Sequence, residues 1–164
     1  MALRGADRER LVRVLALEPS VYAEIGDDGA ATGQALAIVF GVAAAAGLGH
    51  LPAAGLAGGF AASAAWLVAW GVWLVAIHGL AVGLGHESEF ARLFRALAYA
   101  SLPFALAALE WLPLLGSLAW LAKWVAGFAA FTVATRETLG VDTKRAALLC
   151  AAGLVPGWLA SSIV

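Results

Sequence analysis

The feature that most restricts the fold is a stretch of 58 residues, 29–86, that contains no Asp, Glu, Lys or Arg. A single membrane-spanning helix needs about 20 apolar residues, so this stretch is long enough for two spans and a turn. Two glycines and a proline within residues 47–52 are typical of a turn and interrupt a helix. The pattern therefore predicts one span at residues 34–48 and a second at residues 60–84.

The composition of the whole chain agrees with a lipid environment. Of the 164 residues, 63% are hydrophobic and 13% are charged, whereas soluble domains average roughly 45–50% apolar, with Gly included, and about 25% charged. So few charged residues cannot cover a soluble domain without large apolar patches. The high hydrophobicity excludes a disordered chain, the single Cys150 excludes an internal disulfide framework, and a net charge of −1 argues against a nucleic-acid binder.

Three more apolar segments follow the uncharged stretch. The third segment, 94–109, is short and contains Pro103, the fourth, 115–135, contains Lys123, and the fifth is 146–164. Together the five segments predict an all-α, polytopic membrane helix bundle with about five transmembrane helices. An alternative, in which the third and fourth segments form a re-entrant pair, fits the charge pattern equally well.

The positions of the basic residues predict the orientation, because cytoplasmic loops and tails retain Lys and Arg. With five spans, nine of the ten basic residues fall on one side of the membrane, and the tenth, Lys123, lies within the fourth segment. We therefore predict a cytoplasmic N-terminus and an external C-terminus. The basic residues expected to contact anionic lipid or a partner at the cytoplasmic side are Arg8, Arg10, Arg13, Arg92, Arg95, Arg136, Lys144 and Arg145.

Residues 1–30 are predicted to form a cytoplasmic N-terminal segment, and residues 31–164 the transmembrane domain. The N-terminal segment lacks the short apolar core of a cleavable signal peptide, so we expect it to be retained. Residues 8–17 predict an amphipathic helix, and Pro19 is expected to open a second short helix that ends at residues 26–29. Two interpretations stay open: the first helix lies in the lipid interface or binds a partner, or the segment caps the cytoplasmic ends of its own bundle.

Few polar side chains lie within the predicted spans, and each has two interpretations. Lys123 is a candidate functional residue because ionisable groups at such a depth are costly. Alternatively, its ammonium group reaches the interface or pairs with Glu110. His78 in the second span is either a group that titrates near neutral pH or a neutral side chain bonded to a carbonyl or hydroxyl. Lys123, His78 and Glu110 are therefore the candidate intramembrane polar residues.

Small and aromatic residues predict how the helices pack. Gly79 and Gly83 in the second span, and Gly153 and Gly157 in the fifth, have the small-xxx-small spacing that permits close helix packing. Several tryptophans lie on helical stripes, where they either face lipid or line an aromatic cleft. These are Trp66, Trp70 and Trp73 in the second span and Trp120 and Trp124 in the fourth.

The sequence contains little support for catalysis. Five of the serines, Ser63, Ser101, Ser117, Ser161 and Ser162, have no His and carboxylate nearby in the sequence. No zinc-protease or paired-cysteine spacing occurs, and Gly58-Gly59 is not followed by the Gly-Lys-Ser/Thr of a phosphate-binding loop. We therefore expect no enzymatic activity, no catalytic residues, no metal site and no cofactor.

Four short motifs resemble the bacterial branch of the Yip1 family. They are residues 13–19 (RVLALEP), 94–103 (FRALAYASLP), 112–116 (LPLLG) and 134–146 (ATRETLGVDTKRA). The resemblance implies a five-helix integral membrane protein with a cytosolic N-terminus, in the bacterial cytoplasmic (inner) membrane. Eukaryotic relatives bind Rab-type small GTPases, but the acidic motif associated with that branch is absent, so Rab binding is not carried over.

The scarcity of polar groups within the spans favours binding over chemistry. We predict a non-enzymatic adapter, scaffold or accessory subunit of a membrane assembly. Its expected partners are the lipid bilayer and either another membrane protein or further copies of the chain, with no nucleic acid. The alternative is a small oligomeric transporter or channel with a polar path near Lys123 and His78.

Overall fold

The computed structural model describes residues 5–161, with side chains from Arg8 to Leu159, and all regular structure in this part of the chain is helical. The prediction of an all-α fold is therefore confirmed. The elements, in chain order, are α1 (Gly5–Leu15), α2 (Pro19–Asp27), a 3-10 turn (Gly29–Ala31), α3 (Thr32–Gly83), α4 (Phe90–Ala100), a 3-10 segment (Leu102–Leu109), α5 (Leu115–Leu139) and α6 (Thr143–Ser161).

The longest element, α3, is a helical hairpin. Its 52 residues are helical except at Gly55, whose φ of 64° and ψ of −169° reverse the chain. A Cβ placed on Gly47 would lie 2.7 Å from the Gly59 carbonyl oxygen, which is possible only if the residues before and after Gly55 run antiparallel. We call the two arms α3a (32–54) and α3b (56–83).

The predicted turn at residues 47–52 is wrong. Pro52 lies inside the helix, and the reversal comes three residues later, because Gly55 alone adopts the positive φ that a side chain disfavours. Gly47 and Gly49 instead allow close packing: a Cβ on Gly49 would overlap the backbone oxygen of Ala107. The first two helical segments therefore cover residues 32–54 and 56–83, whereas the prediction gave 34–48 and 60–84.

The third predicted segment, 94–109, changes geometry along its length. The α-helix α4 ends at Ala100, and the chain continues from Leu102 to Leu109 as a 3-10 segment. Pro103 explains the change, because it has no N–H and disfavours an α conformation in the residue before it.

Three helical stretches of the described chain have the length and apolar composition of a membrane span: Gly29–Gly83, Phe90–Leu109 and Leu115–Leu139. The last of these covers the predicted segment 115–135. The 19 residues of α6 cover most of the predicted segment 146–164. Residues 162–164 and Arg4 lie outside the described part of the chain.

The N-terminal segment shares one hydrophobic core with the long helices. Val21, Tyr22 and Ile25 of α2 are completely buried in a cluster that also contains Leu93 and Leu97 of α4. Pro19 opens α2 as predicted. We call this end of the bundle, where α1 and α2 lie against α4, the docked end, and the end with Gly55 and the 110–116 loop the turn end.

Candidate functional site

At the docked end, Arg13 joins α1 to α2. Its guanidinium group donates to Glu18 and Glu24 at 2.7 and 2.8 Å, and to the Ser20 hydroxyl at 3.1 Å. The hydrogen bonds and positive charge of Arg13 hold the pKa values of both carboxyl groups below their ordinary range. In turn, the hydrogen bonds to Glu24 and Glu18 raise the pKa of Arg13. All three groups are therefore charged at neutral pH.

Two arginines of α4 hold the end of α2. The buried Arg95 side chain donates through Nε and Nη2 to the backbone oxygen of Gly26. Arg92 forms an ion pair with Asp27 at 2.9 Å. A guanidinium group that satisfies a helix-end carbonyl is favourably placed, because the C-terminus of a helix carries partial negative charge.

Most of the basic residues predicted to contact lipid or a partner are thus engaged within the chain. Besides Arg13, Arg92 and Arg95, the pairs are Arg10 with Asp28 at 3.0 Å, Arg136 with Glu137 at 2.7 Å and Arg145 with Asp142 at 3.3 Å. Arg8 and Lys144 are exposed and have no partner among the described side chains. Six of the eight predicted contact residues therefore have a partner within the chain.

Helix α1 has one buried and one exposed side. Val14 is buried in the core, whereas Val12 and Leu15 are 59% and 60% exposed. The exposed residues share one side of the helix, because they follow an i, i+4, i+7 spacing. We call this surface the α1 outer face, and its members are Arg8, Glu9, Val12, Leu15 and Ala16.

At the turn end, Lys123 and Glu110 form an ion pair. The Nζ atom of Lys123 lies 2.5 Å from Oε1 of Glu110, and the two side chains are only 14% and 20% exposed. The close turn before α5 brings them together, since a Cβ on Gly116 would overlap the Glu110 backbone oxygen. The ammonium group also lies 5.8 Å from the ring centroid of Trp124. Of the two interpretations of Lys123, the structure thus favours pairing.

His78 lies near the other end of α3b. Its Nδ1 is 2.9 Å from the Ser88 hydroxyl, and the ring of Phe90 packs edge-on against it at 5.3 Å. The observed partner is a hydroxyl group, as in the interpretation of His78 as a neutral hydrogen-bonding side chain. The structure does not bring His78 together with Lys123, because their polar partners belong to loops at opposite ends of the bundle.

A cavity of about 260 Å³ lies between α3, the 3-10 segment, α5 and α6. We call it the indole cavity because five tryptophans line it. The aromatic lining residues are Trp66, Trp70, Trp73, Phe104, Trp124 and Trp158, and the polar ones are His50 and Lys123.

The tryptophan stripes divide between the interior and the surface. Trp66 and Trp70 stack at 6.3 Å with an interplanar angle of 17°, and both line the cavity. Trp73 is fixed further in, where its Nε1 donates to the Cys150 backbone oxygen at 2.8 Å. In α5, Trp124 lines the cavity, whereas Trp120 is 53% exposed. The interpretation as an aromatic cleft therefore fits all three tryptophans of α3b but only one of the two in α5, Trp124.

The two glycine pairs also differ. Gly153 and Gly157 pack against α3b, since Cβ atoms there would lie 2.8 Å from Cδ1 of Trp73 and from the Ala69 backbone oxygen. Gly79 and Gly83 are exposed, and a Cβ atom on either would have nothing within 4 Å. The prediction of close packing within the bundle is therefore wrong for Gly79 and Gly83, because that side of α3b faces outward.

Sequence reasoning missed two contributors to these sites. Trp158 was not among the predicted aromatic residues, although its position one residue after Gly157 places it beside the α3b contact. The Tyr99 hydroxyl donates to Gln34 at 2.5 Å and links α4 to α3a, and no pattern in the sequence indicated this pair. Among the described residues, no group of three or more His, Cys, Asp or Glu is arranged to hold a metal ion.

Comparison with known proteins gives one match. No curated protein and no solved structure matches the chain significantly. The model of the Yip1 domain matches residues 13–162, which include the second helix of the docked end, the whole hairpin and all of α6. The match covers nearly the entire chain and agrees with an all-helical protein whose helices include stretches long and apolar enough to cross a membrane, so the chain belongs to the Yip1 domain family.

Proposed function

We propose that this protein is a non-enzymatic adapter or accessory subunit of a membrane assembly, and that the α1 outer face is its contact surface. The observation that carries the proposal is the exposure of Val12 and Leu15 on a helix that is fixed through its opposite side. Such a helix offers apolar side chains next to the charged Arg8 and Glu9, a mixture that protein interfaces use for recognition. The partner is another membrane protein or a second copy of the chain.

We further propose five spans, with the docked end in the cytoplasm of a bacterium and the spans in its inner membrane. The two arms of α3 have 23 and 28 residues, or about 35 and 42 Å of helix, and each is long enough for a hydrocarbon core of about 30 Å. The other three spans are Phe90–Leu109, α5 and α6. The paired and unpaired arginines gather at the docked end, which agrees with the distribution of basic residues in cytoplasmic loops.

The transporter alternative receives less support from the same geometry. A polar path would depend on Lys123 and His78, yet each already has a partner in the chain, Glu110 and Ser88 respectively. A charge that pairs within the protein at 2.5 Å has little capacity to bind a transported ion, because binding the ion would break the pair and leave its partner unpaired in a low-dielectric environment.

Site-specific photocrosslinking in living cells tests the adapter proposal. A photoreactive amino acid replaces Val12 in one variant and, as a matched control, Val155 in another, since both positions are 59% exposed. We expect Val12 to give a discrete protein adduct and Val155, within a span, to give lipid adducts. Mass spectrometry of the Val12 adduct separates another protein from a second copy. Adducts with lipid alone at Val12 would contradict the proposal.

Alkaline phosphatase fusions in a bacterial host test the proposed topology. The enzyme needs its disulfides and is therefore active only outside the cytoplasm. We expect activity from a fusion that ends after Leu114, in the loop of the turn end, and none from a fusion that ends after Glu87. The opposite pattern would contradict an N-terminus in the cytoplasm, and activity from neither would contradict five spans.

A further inference from the structure

A groove of about 420 Å³ lies between the end of α3b and the start of α6. Gly153 of α6 packs against Trp73 and Gly157 packs against Ala69, so α6 runs antiparallel to α3b and begins at the docked end. We call this feature the α3b–α6 groove. Its lining residues are Leu80, Leu84, His86, Arg145, Leu148, Leu149 and Ala152.

One end of the groove is polar and has unused hydrogen-bond donors. Arg145, in the first turn of α6, pairs through Nε with Asp142 at 3.3 Å, and its two Nη groups have no hydrogen-bond partner among the described residues. The His86 side chain also makes no hydrogen bond within the described part of the chain. Of the described residues that line the groove, none is acidic, and the neighbouring Asp142 and Glu87 are exposed outside it. The donors in the lining therefore have the capacity to bind an anion.

The rest of the groove is apolar and extends along the helices. Leu84 and Leu148 are 68% and 69% exposed, and Ala152 lies seven residues after Arg145, or about 10 Å along α6. If α6 crosses the membrane as in the proposed function, on which this step rests, Arg145 lies at the cytoplasmic boundary of the hydrocarbon core and Ala152 lies within the core. An occupant that matches both parts has an anionic group at the boundary and an apolar chain in the core.

The size of the groove separates a lipid from a protein segment. A helix that crosses the membrane is about 30 Å long, roughly three times the length of the groove along α6. The volume of about 420 Å³ lies within the range of about 300–1,000 Å³ for pockets that hold small molecules. A lipid headgroup with the adjoining part of one acyl chain therefore suits the groove better than a helix of a partner protein.

We propose that the α3b–α6 groove binds an anionic glycerophospholipid of the cytoplasmic leaflet. The lipid phosphate accepts hydrogen bonds from the Nη groups of Arg145, because a planar guanidinium group can donate two parallel bonds to a phosphate, and from the His86 ring. An acyl chain lies along Leu148 toward Ala152. The exposed Lys144, which has no partner among the described side chains, adds attraction for a headgroup with net negative charge.

Native mass spectrometry of the purified full chain in detergent tests this proposal. The probes are phosphatidylglycerol, with an anionic headgroup, and phosphatidylcholine, with the same acyl chains and a zwitterionic headgroup. We expect one phosphatidylglycerol per chain, bound about tenfold more tightly than phosphatidylcholine. Arg145→Gln should weaken phosphatidylglycerol binding about tenfold. Arg8→Gln is the matched control, since it removes the same charge from an exposed side chain outside the groove, and it should leave binding unchanged.

A second pair of variants tests the apolar part of the groove. Ala152→Phe fills the groove without a change of charge and should abolish phosphatidylglycerol binding. Ala151→Phe, at a position outside the lining, should leave binding unchanged. Both alanines are exposed, so we expect both variants to retain the thermal stability of the unchanged protein, which thermal unfolding measures.

Several outcomes would overturn the proposal. They are unchanged phosphatidylglycerol affinity in Arg145→Gln or in Ala152→Phe, equal affinity for the two lipids, and displacement of phosphatidylglycerol by glycerol 3-phosphate, which would assign the groove to a soluble phosphate. The measurement involves no partner protein and no sidedness, so these failures would leave the adapter proposal untouched. A failure of the proposed topology would be detected separately by the alkaline phosphatase fusions.

Discussion

The helices pack in different ways at the docked end and at the turn end. At the docked end, large side chains interlock, and polar groups are paired across elements: Tyr22 is fully buried and donates to the Val14 backbone oxygen at 3.0 Å. At the turn end, helices meet through glycines, as where Gly49 contacts the backbone at Ala107. Buried side chains form the contact at the docked end, whereas the backbone contact at the turn end lies beside the indole cavity.

The two kinds of packing suit different environments. Charged side chains can join α1, α2 and α4 at the docked end because the glutamates and aspartates there are partly exposed and solvated. Glycine contacts need no water and no polar partner, so they suit helices in lipid, where packing provides most of the association energy. The docked end therefore holds α1 and α2 against α4 through side chains, whereas the turn end joins its helices through backbone contact.

The largest expected effect comes from removing a buried side chain at the docked end. Tyr22→Ala removes a completely buried ring and should lower the free energy of unfolding by about 3–5 kcal/mol, and it should release α1 for cleavage by protease. Val12→Ala, on the exposed side of α1, should change stability by less than about 0.5 kcal/mol. Thermal unfolding in detergent together with limited proteolysis measures both variants. Equal stability of the two would show that α2 is not part of the core.

The ion pair at the turn end should give a smaller effect that depends on both partners. Lys123→Met leaves the Glu110 carboxylate without its partner and should cost about 2 kcal/mol, below the range of about 3–5 kcal/mol for fully buried pairs. The double variant Lys123→Met, Glu110→Gln should recover most of this loss. A double-mutant cycle from thermal unfolding measures the coupling, and additive effects would mean that the pair does not form.

The close contact between a glycine and the backbone at the turn end can be tested by adding one methyl group. Gly49→Ala places a Cβ against the backbone oxygen of Ala107 and should destabilise the protein by about 1–2 kcal/mol. Gly41→Ala is the matched control in the same arm, since nothing lies within 4 Å of a Cβ there. We expect Gly41→Ala to be neutral or slightly stabilising. Similar unfolding temperatures for both variants would contradict closure by backbone contact.

The smallest expected effect is a pH dependence confined to the docked end. The pKa values of Glu18 and Glu24 are lowered in the folded state by Arg13, so their stabilisation is complete above the ordinary pKa of 4.5 and is lost as the pH falls through the lowered values. Thermal unfolding between about pH 6 and about pH 3 should show a decline that is weaker in Arg13→Gln. An identical decline in both proteins would assign it to other carboxyl groups.

The sequence predicted the parts of the fold that depend on composition and local signals. The apolar segments, the start of α2 at Pro19 and the basic end of the bundle follow from residue type alone. The position of the reversal at Gly55 did not follow from residue type, because residues 47–52 contain turn-forming residues of the same kind. These residues stay helical because Gly47 and Gly49 pack closely against other segments.

The candidate sites were less predictable because they depend on the rotation of helices about their axes. Trp120 and Trp124 share a stripe in the sequence, yet one faces outward and the other lines the indole cavity. The contact of Arg95 with the Gly26 backbone oxygen joins residues that are far apart in the sequence, and a carbonyl oxygen carries no sequence signal. By contrast, the pairing of Lys123 with Glu110 could be predicted from residue type alone, because two isolated charges in an apolar region have few alternative partners.

The central claim is that the two ends face opposite sides of the membrane, with recognition at the cytoplasmic docked end. Two single-cysteine variants in a Cys150→Ala background test it most directly: Ser20→Cys at the docked end and Ser117→Cys at the turn end, both at exposed positions. Intact cells are treated with a membrane-impermeant maleimide before and after permeabilisation. We expect labelling of Ser117→Cys in intact cells and of Ser20→Cys only after permeabilisation. Labelling of Ser20→Cys in intact cells, or of both variants alike, would contradict the claim.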